Sequence, residues 1–508
     1  MTCPRSKSLI CAGTRFATWT SGSSDSASAA LLFMANLFFR RVRSFPMPEF
    51  NPVTPAIVDQ LISIVGADNV STAQAVLDLH AKDQSHHAAH TAEVVVFPMQ
   101  AQHVADVLKL ANEARIPVTP WGVGTSLEGN PIPLYGGISL SFERMTKIVA
   151  IHADDFQVTV QPGIGHKDLN AELARYGLFF APDPGANATV GGMLANNAAG
   201  IRTVKYGASK DNVLKMQVAL ADGRLIHVGS RSVKQSSGYD LLHLFVGSEG
   251  TLGVITEATL KLVPIAAHMS AVVAAFPDVK TAVETVVAVR GSGLDPAALE
   301  LIDAEHCRML SSVEGVDLLE MPTVFMEFHA ALPATLEAGL ETVREICDEM
   351  GAVSFRATTD PTERKRLWHA RHHSYEIMVR THPTKRFFIN DVAVPISAYP
   401  ELIGFVEQLK AEMGITAYMI GHAGDGNIHI EFPFENDADY AQAMIANKKV
   451  VTKAIELGGT ATGEHGVGIG KAPYLPQEHG AGLDVMRTIK GALDPNGILN
   501  PGKIFVEG

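Results

Sequence analysis

The sequence predicts an α+β protein of two or three domains, on three observations. At 508 residues the chain exceeds the size at which one hydrophobic core stops growing. Segments of strand and helix character intermix without the strict strand–helix–strand rhythm of a doubly wound parallel sheet. The pattern also changes at Pro264, with glycine-dense loops before it and regular sheet-and-helix layers after it.

In chain order, residues 51–66 predict a helix with Thr54 as N-cap, Pro55 at its first position and Gly66 as its stop. Residues 93–97 (EVVVF) predict a strand, 100–115 an amphipathic helix, and 117–119 a short strand entering a glycine loop. Residues 137–142, 147–151 and 156–161 are strand-like, and 165–176 helical. Residues 215–221 and 224–228 alternate apolar and polar side chains around Asp222-Gly223, which predicts a hairpin. A strand over 251–263 closes this half. Beyond Pro264 come a strand at 269–276, a helix at 278–291, strands at 297–302 and 323–328, and a helix at 333–351. A second pass follows: strand 386–394, helix 397–414, strands 416–420 and 427–432, and helix 438–458. Layers of this kind are ferredoxin-like.

Composition narrows the function classes. Hydrophobic residues make up 46% and charged residues 19%, the profile of a globular protein with large cores. The net charge is −13 and no Lys/Arg cluster is dense enough to track a phosphate backbone, which excludes nucleic-acid binding. Cys3, Cys11, Cys307 and Cys347 are scattered and form no CxxC, as expected in a reducing compartment without structural disulfides. Residues 1–46 carry Arg5, Lys7, Arg15, Arg40, Arg41 and Arg43 against one acid, Asp25. That is transit-peptide-like and implies mitochondrial import. Met47 is instead the preferred start, since MPEFNPVTPAIVDQL opens directly on a helix, and a cytoplasmic protein, peripheral to a membrane at most, is then expected. The apolar run 27–39 is too short to span a bilayer.

Four glycine-dense segments stand out: 120–129 (PWGVGTSLEG), 160–165 (VQPGIG), 182–200 (PDPGANATVGGMLANNAAG) and 247–253 (GSEGTLG). Glycine adds no stability to a helix or strand, so such runs mark tight bends or close approach of the backbone to something. Together they suggest a main-chain cradle for one large, phosphate-bearing cofactor. In the first, Gly122 and Gly124 bare consecutive N–H groups while Thr125 and Ser126 add hydroxyls; alone, the motif fits a plain turn as well. Neither a Rossmann GxGxxG nor a Walker motif is present.

The wording of PWGVGTSLEGN, PDPGANATVGGMLANNAAG, YGASKDNVLKMQVALADG and GSEGTLGVIT resembles the flavin domain of the vanillyl-alcohol-oxidase/PCMH-type flavoenzymes. Within that family the chain resembles the D-2-hydroxyacid dehydrogenase branch, over roughly residues 50 to 508. The resemblance implies a PCMH-type FAD-binding domain over 47–265, a ferredoxin-like substrate or cap domain over 266–460, and a segment over 461–508 that returns to the flavin domain. It also implies flavin contacts from Pro120, Gly122, Gly124, Thr125, Ser126, Pro184, Gly185, Thr189, Gly191, Gly192, Asn196, Gly200, Gly250, Gly253, Ile255 and Asn500. Some relatives tether the flavin through a histidine near the first loop; WGVGTSLEG has none, so non-covalent FAD is expected.

A second constellation joins GHAGDGNIHI (421–430) to TGEHGVG (462–468). His422 and His429 flank a tight turn, and Glu464 supplies an oxygen from another segment. Two imidazoles and a carboxylate with open positions suit a divalent ion that also binds substrate. On spacing alone, hydrogen bonding to buried backbone is the commoner role for two such histidines. The resemblance implies the ligand role for His422, His429 and Glu464, with zinc or manganese as the ion. His465 is the candidate general base, through an imidazole of near-neutral pKa, or else a substrate-orienting donor. Arg371 matches the family arginine that holds the substrate carboxylate, for which a guanidinium fork is suited and a lysine is not. His86, His87 and His90 match no ligand pattern and are expected at the surface, as are Arg364, Arg366 and Arg380.

In the family, dicarboxylate-oxidising members carry a lysine near the place of Ile389 or Asn390; the nearest cations here are Lys385 and Arg386. A second carboxylate left unpaired in a buried site is costly. The implied activity is therefore FAD-dependent oxidation of a small or apolar D-2-hydroxyacid, D-lactate foremost, with glycolate and D-2-hydroxyglutarate as the alternatives. The implied partners are that acid, an electron acceptor such as cytochrome c, quinone or electron-transfer flavoprotein, and a second copy in a homodimer.

Overall fold

The protein is seen in a computed structural model that describes residues 49–312 and 317–505. The expectations for residues 1–46, and for Cys3 and Cys11, lie outside the described residues.

The first helix, Pro55–Val65, begins at the proline, with the Thr54 side chain accepting from Ile57 N–H and Gly66 ending it at φ 92°. Two sheets follow. In the smaller, strand Ile138–Ser141 lies parallel to both Val94–Val96 and Val118–Trp121. These strands are almost wholly buried, as parallel strands covered on both faces should be. The larger is antiparallel, in the order Ile148–His152, Gln157–Val160, Val254–Lys261, Val213–Ala219, Leu225–Gly229. Its last two strands form the predicted hairpin, with Ala219 opposite Leu225. The single strand expected over 251–263 is divided. At Leu262 the N–H turns to Phe156 O, and Val263–Pro264 pairs instead with Leu178–Phe179.

The glycine-rich stretch 182–200 contains a helix the sequence hid, Val190–Asn196, capped by Thr189 and closed by Asn197 in the left-handed region. The tail returns to this half of the chain as expected: Asn500 N–H bonds Val118 O, and its side chain bonds the carbonyls of Asn130 and Glu249.

The second half is built on one seven-stranded antiparallel sheet. Residues 268–358 run strand, helix, strand, strand, helix, strand, with a further helix, Ala304–Ser311, inserted between the second and third strands. Their strands lie in the order Ser354–Thr358, His268–Ala275, Thr323–Ala330, Pro296–Ile302: fourth, first, third, second, the ferredoxin-like arrangement. Residues 386–456 repeat its first five elements, with strands Tyr418–Gly421, Asn427–Phe434 and Arg386–Ala393 in the order second, third, first. The two units join through their second strands, Leu301 opposite Gly421 and Ile302 opposite Ile420. Where a fourth strand would pair with Arg386–Ala393, the chain makes one bridge, Ala393 to Thr460, and turns off into residues 462–468.

Helices Val279–Gly291, Pro333–Glu349, Tyr399–Met413 and Asp437–Glu456 cover one face of this sheet over a core that includes Val286, Leu299, Met326 and Ile430. On the other face, Ala298, Ile302, Phe325 and Ile420 pack against Trp368, Ile377 and Met378. These last come from helices Pro361–His372 and Ser374–Thr381, which the sequence reading left unassigned because the first carries no apolar stripe.

Cys347 belongs to the first of these cores and Cys307 to the second, and both are free. Burial pushes each thiol up to about 12. At pH 8 only roughly one in ten thousand of either would be thiolate. Iodoacetamide at pH 8 should therefore leave Cys307 and Cys347 unmodified in the native protein and alkylate both in urea, as read by peptide mass spectrometry.

Candidate active site

One cavity of about 560 Å³ runs between the glycine segments and the seven-stranded sheet. Of the residues expected to touch flavin, Pro120, Gly122, Gly124, Thr125, Ser126, Pro184, Gly185, Thr189, Gly191, Gly192, Asn196, Gly250, Gly253, Ile255 and Asn500 line it. Gly200 does not. It lies behind the wall at φ 118°, bridged to Asp183, where a Cβ would collide with the Asp183 carbonyl. Of the segment 160–165 only Pro162 reaches the cavity. Gly122 is glycine for close approach, since a Cβ there would stand 2.5 Å from Thr189 Oγ1. Among the described residues no protein acceptor takes the main-chain N–H of residues 122–126. A row of unclaimed donors at the cavity wall fits an anionic group such as a pyrophosphate.

At the opposite wall, strand Asn427–Phe434 alternates. Ile428, Ile430 and Phe432 enter the helix-side core, while His429 and Glu431 face the cavity. His422 follows the neighbouring strand Tyr418–Gly421. His422 Nε2 and His429 Nε2 each lie 3.2 Å from Glu464 Oε1, with ring centroids 5.3 Å apart. Although burial opposes it, Glu300 and Glu464 push the His422 imidazole up to about 10. Burial alone would raise Glu464, yet His422 and His429 hold it well below its usual range. Two carboxylates around one imidazole demand a positive charge at this point. The donor set fits a divalent cation, which would replace protons on binding.

Two carboxylates missed by sequence reading orient these groups. Glu300, fully buried on strand Pro296–Ile302, accepts from His422 Nδ1 at 2.8 Å, which turns Nε2 toward Glu464. Its other oxygen takes Arg371 Nε at 2.8 Å and Nη2 at 2.5 Å. Arg371 thus reaches the cavity with its side edge already occupied, leaving the end-on pair of amino groups for a ligand carboxylate.

Asp391 is also fully buried. Its Oδ2 accepts from Thr462 Oγ1 and from the N–H groups of Gly463, Glu464 and His465, at 2.8 to 3.0 Å, and its Oδ1 accepts from Asn427. Against the effect of burial, His465 and His429 hold it below the carboxylate range. Asp391, His429 and His465 also stand close enough to ligate an ion. With five donors already on its oxygens, however, Asp391 belongs to the layer behind the ligands.

His465 stacks on His429 with centroids 5.0 Å apart, its Nδ1 3.9 Å from Asp391 Oδ2. Its imidazole departs from the near-neutral expectation: burial lowers it, against the pull of Asp391. Ile389 lines the cavity, whereas Asn390 turns away to Asn447 and Arg386 stacks over Phe434 outside it. His86 and His87 are not surface residues as expected. His86 packs on the rings of Phe388 and Tyr440, and burial lowers it to about 4; His90 is exposed.

The chain matches two family models: an FAD binding domain over residues 92–229, and the C-terminal domain of FAD linked oxidases over residues 265–504. It is 37% identical to a probable mitochondrial D-lactate dehydrogenase of Danio rerio, over 88% of this chain and 91% of that one. It is 38% identical to a mitochondrial D-lactate dehydrogenase [cytochrome] of Arabidopsis thaliana, over 90% and 81%. Among solved structures it resembles p-cresol methylhydroxylase with substrate bound, with a TM-score of 0.72 at 16% identity over 89% and 96% of the two chains, a likeness of fold. Among the described residues no helix is long and apolar enough to cross a membrane.

The Asp391 network generates a stability test. Asp391→Ala strands several buried donors and should cost on the order of 3 kcal/mol or more in urea unfolding, with Asp391→Asn intermediate. An unchanged midpoint for the alanine variant would show that loop 462–465 is held by other means.

Proposed function

The chain belongs to the FAD-linked oxidases of the vanillyl-alcohol-oxidase/PCMH type, and from that premise we propose that it oxidises a D-2-hydroxyacid, D-lactate foremost, to the 2-oxoacid. The observation that carries this reading is the convergence of Arg371, His465 and the His422–His429–Glu464 cluster on one wall of the cavity whose other wall is the glycine cradle. The FAD is non-covalent in this reading, since loop 120–129 has no histidine to tether it.

Each residue has a share of the work. Arg371 holds the substrate carboxylate with its end-on amino groups, while Glu300 keeps the guanidinium from rotating. His465 accepts the proton of the 2-hydroxyl at Nε2. Asp391, on the Nδ1 side of the ring, orients the imidazole and stabilises its charged form. His422, His429 and Glu464 would hold a divalent cation, which would supply Lewis acidity at this wall of the cavity. FAD supplies the acceptor for the two electrons and hydrogen leaving carbon 2. A cytochrome is the electron acceptor we favour, after the name of the relative from Arabidopsis thaliana. The mitochondrial address in both relatives' names, with the basic, serine-rich residues 1–46, supports import into that organelle. Glu464 argues against a flavin-dependent alkyl transfer, whose enzymes carry a histidine-rich run in its place.

Two outcomes test this function. EDTA treatment, or His429→Ala, should abolish turnover of D-lactate while the visible flavin spectrum persists. Acid precipitation should then release the FAD into the supernatant. Full activity in metal-free protein returns the histidines to a structural role, and colour in the pellet means a covalent flavin. Comparison of kcat/KM should favour D-lactate over both L-lactate and D-2-hydroxyglutarate, since Ile389 lines the cavity and, among the described residues, no second Lys or Arg does. Arg371→Lys should weaken D-lactate by about 1.5–3 kcal/mol, with flavin content as the control for folding. A preference for D-2-hydroxyglutarate would refute the assignment.

A further inference from the structure

Glu431 is a buried carboxylate with no assigned task. It lines the same cavity as Arg371 and His465. It stands two residues beyond His429 on one strand, on the same face, and directly opposite Ile389 on the next. Its Oε2 has no hydrogen-bond partner among the described residues, with His306 Nδ1 at 3.8 Å and beyond hydrogen-bond reach. Arg371, which also lines the cavity, turns its side edge to Glu300 and makes no hydrogen bond to Glu431. Oε2 is closed off on the His306 side, so Oε1 is the oxygen left to meet a donor in the cavity, and a buried carboxylate without donors is costly unless a ligand brings one.

The proposed reaction fixes where that donor would be. A D-2-hydroxyacid held by its carboxylate at Arg371, with its 2-hydroxyl near His465 and His429, directs its side chain along the strand. Alternate residues on a strand are roughly 7 Å apart, a span that two neighbouring hydroxyls, about 3 to 4 Å apart, bridge once a hydrogen bond of about 2.8 Å is added at each end.

We infer that Glu431 is a specificity-determining residue that accepts a hydrogen bond from a hydroxyl on carbon 3 of the substrate, so that the enzyme prefers 2,3-dihydroxyacids to their alkyl isosteres. The inference rests on the D-2-hydroxyacid oxidation proposed above and names the substrate class of that same site. It also gives this part of the cavity a polarity that Ile389, Ile420 and Tyr375 do not supply.

D-Glycerate and D-2-hydroxybutyrate make the test, because they differ only by hydroxyl against methyl at the same place. Anaerobic flavin bleaching gives the ratio of their kcat/KM. The unmodified enzyme should favour D-glycerate by at least about tenfold, because a site built to bond a hydroxyl rejects the analogue that lacks it. Glu431→Leu should reverse the preference, and Glu431→Gln, which keeps an acceptor oxygen, should retain part of it. A wild-type preference for D-2-hydroxybutyrate overturns the inference without recourse to any variant. So does a ratio that Glu431→Leu leaves unchanged, which would make Glu431 a partner of His306 in the core. If D-lactate, D-glycerate and D-2-hydroxybutyrate all fail to bleach the wild-type flavin, the reaction itself is misassigned. Normal bleaching by D-lactate with no hydroxyl preference removes only the role of Glu431.

Discussion

The site depends first on one buried carboxylate. Asp391 is fully buried, so its charge must be met by protein donors, and four of the five it receives come from consecutive residues 462–465. Three successive N–H groups converging on one oxygen leave that loop little freedom. Glu464 and His465 are therefore set by the main chain, before any ligand arrives. Asp391 also lies opposite His429 on the neighbouring strand, so the same residue that fixes the loop fixes its distance from the histidine it must meet. Preorganisation of this kind costs folding stability locally and spares a ligand the expense of ordering the loop.

The sheet explains why such a clamp is needed. In the first unit the strand after the second helix closes the ferredoxin-like sheet at Ser354–Thr358. In the second unit the equivalent strand is reduced to the bridge at Thr460, and the chain that would have been ladder becomes the loop bearing Glu464. A strand would have had its main-chain groups paired by the ladder. The diverted loop needs another acceptor, and Asp391, on the strand it would have paired with, provides it. Glu249 plays a matching part on the other side. It accepts from Val467 and Gly468 N–H and from Asn130, tying the end of the same loop to the half of the chain that carries the glycine segments.

Elements bounded by strong local signals were legible in the sequence. Thr54, Pro55 and Gly66 delimit a helix by capping chemistry, and Asp222-Gly223 sets a hairpin by its turn preference. The strand–helix pattern after Pro264 carried the ferredoxin-like layers. At the site, His422, His429 and Glu464 were visible because they sit in short, distinctive runs. Glu300 and Asp391 were not, because each appears as one acid within an apolar strand. What gives them meaning is a partner 122 residues away for Glu300 and 71 to 74 away for Asp391. Gly200 misled in the opposite sense: glycine density announced a ligand contact, while the physical cause was the Asp183 carbonyl. His86 was placed at the surface because nothing local reveals that Phe388 and Tyr440 will pack against it.

The join between the two sheet units also sets a schedule for synthesis. Strand Pro296–Ile302 is buried along its whole length, and one of its two edges is satisfied only by Tyr418–Gly421. At the usual 5–20 residues per second, the ribosome needs roughly 6 to 23 seconds to travel from one strand to the other. Throughout that interval an apolar strand with an open edge stands on the nascent chain, the kind of surface that pairs with the wrong partner. Slow elongation or a chaperone acting between the two units would thus bear on the yield of protein as strongly as any substitution near the cavity.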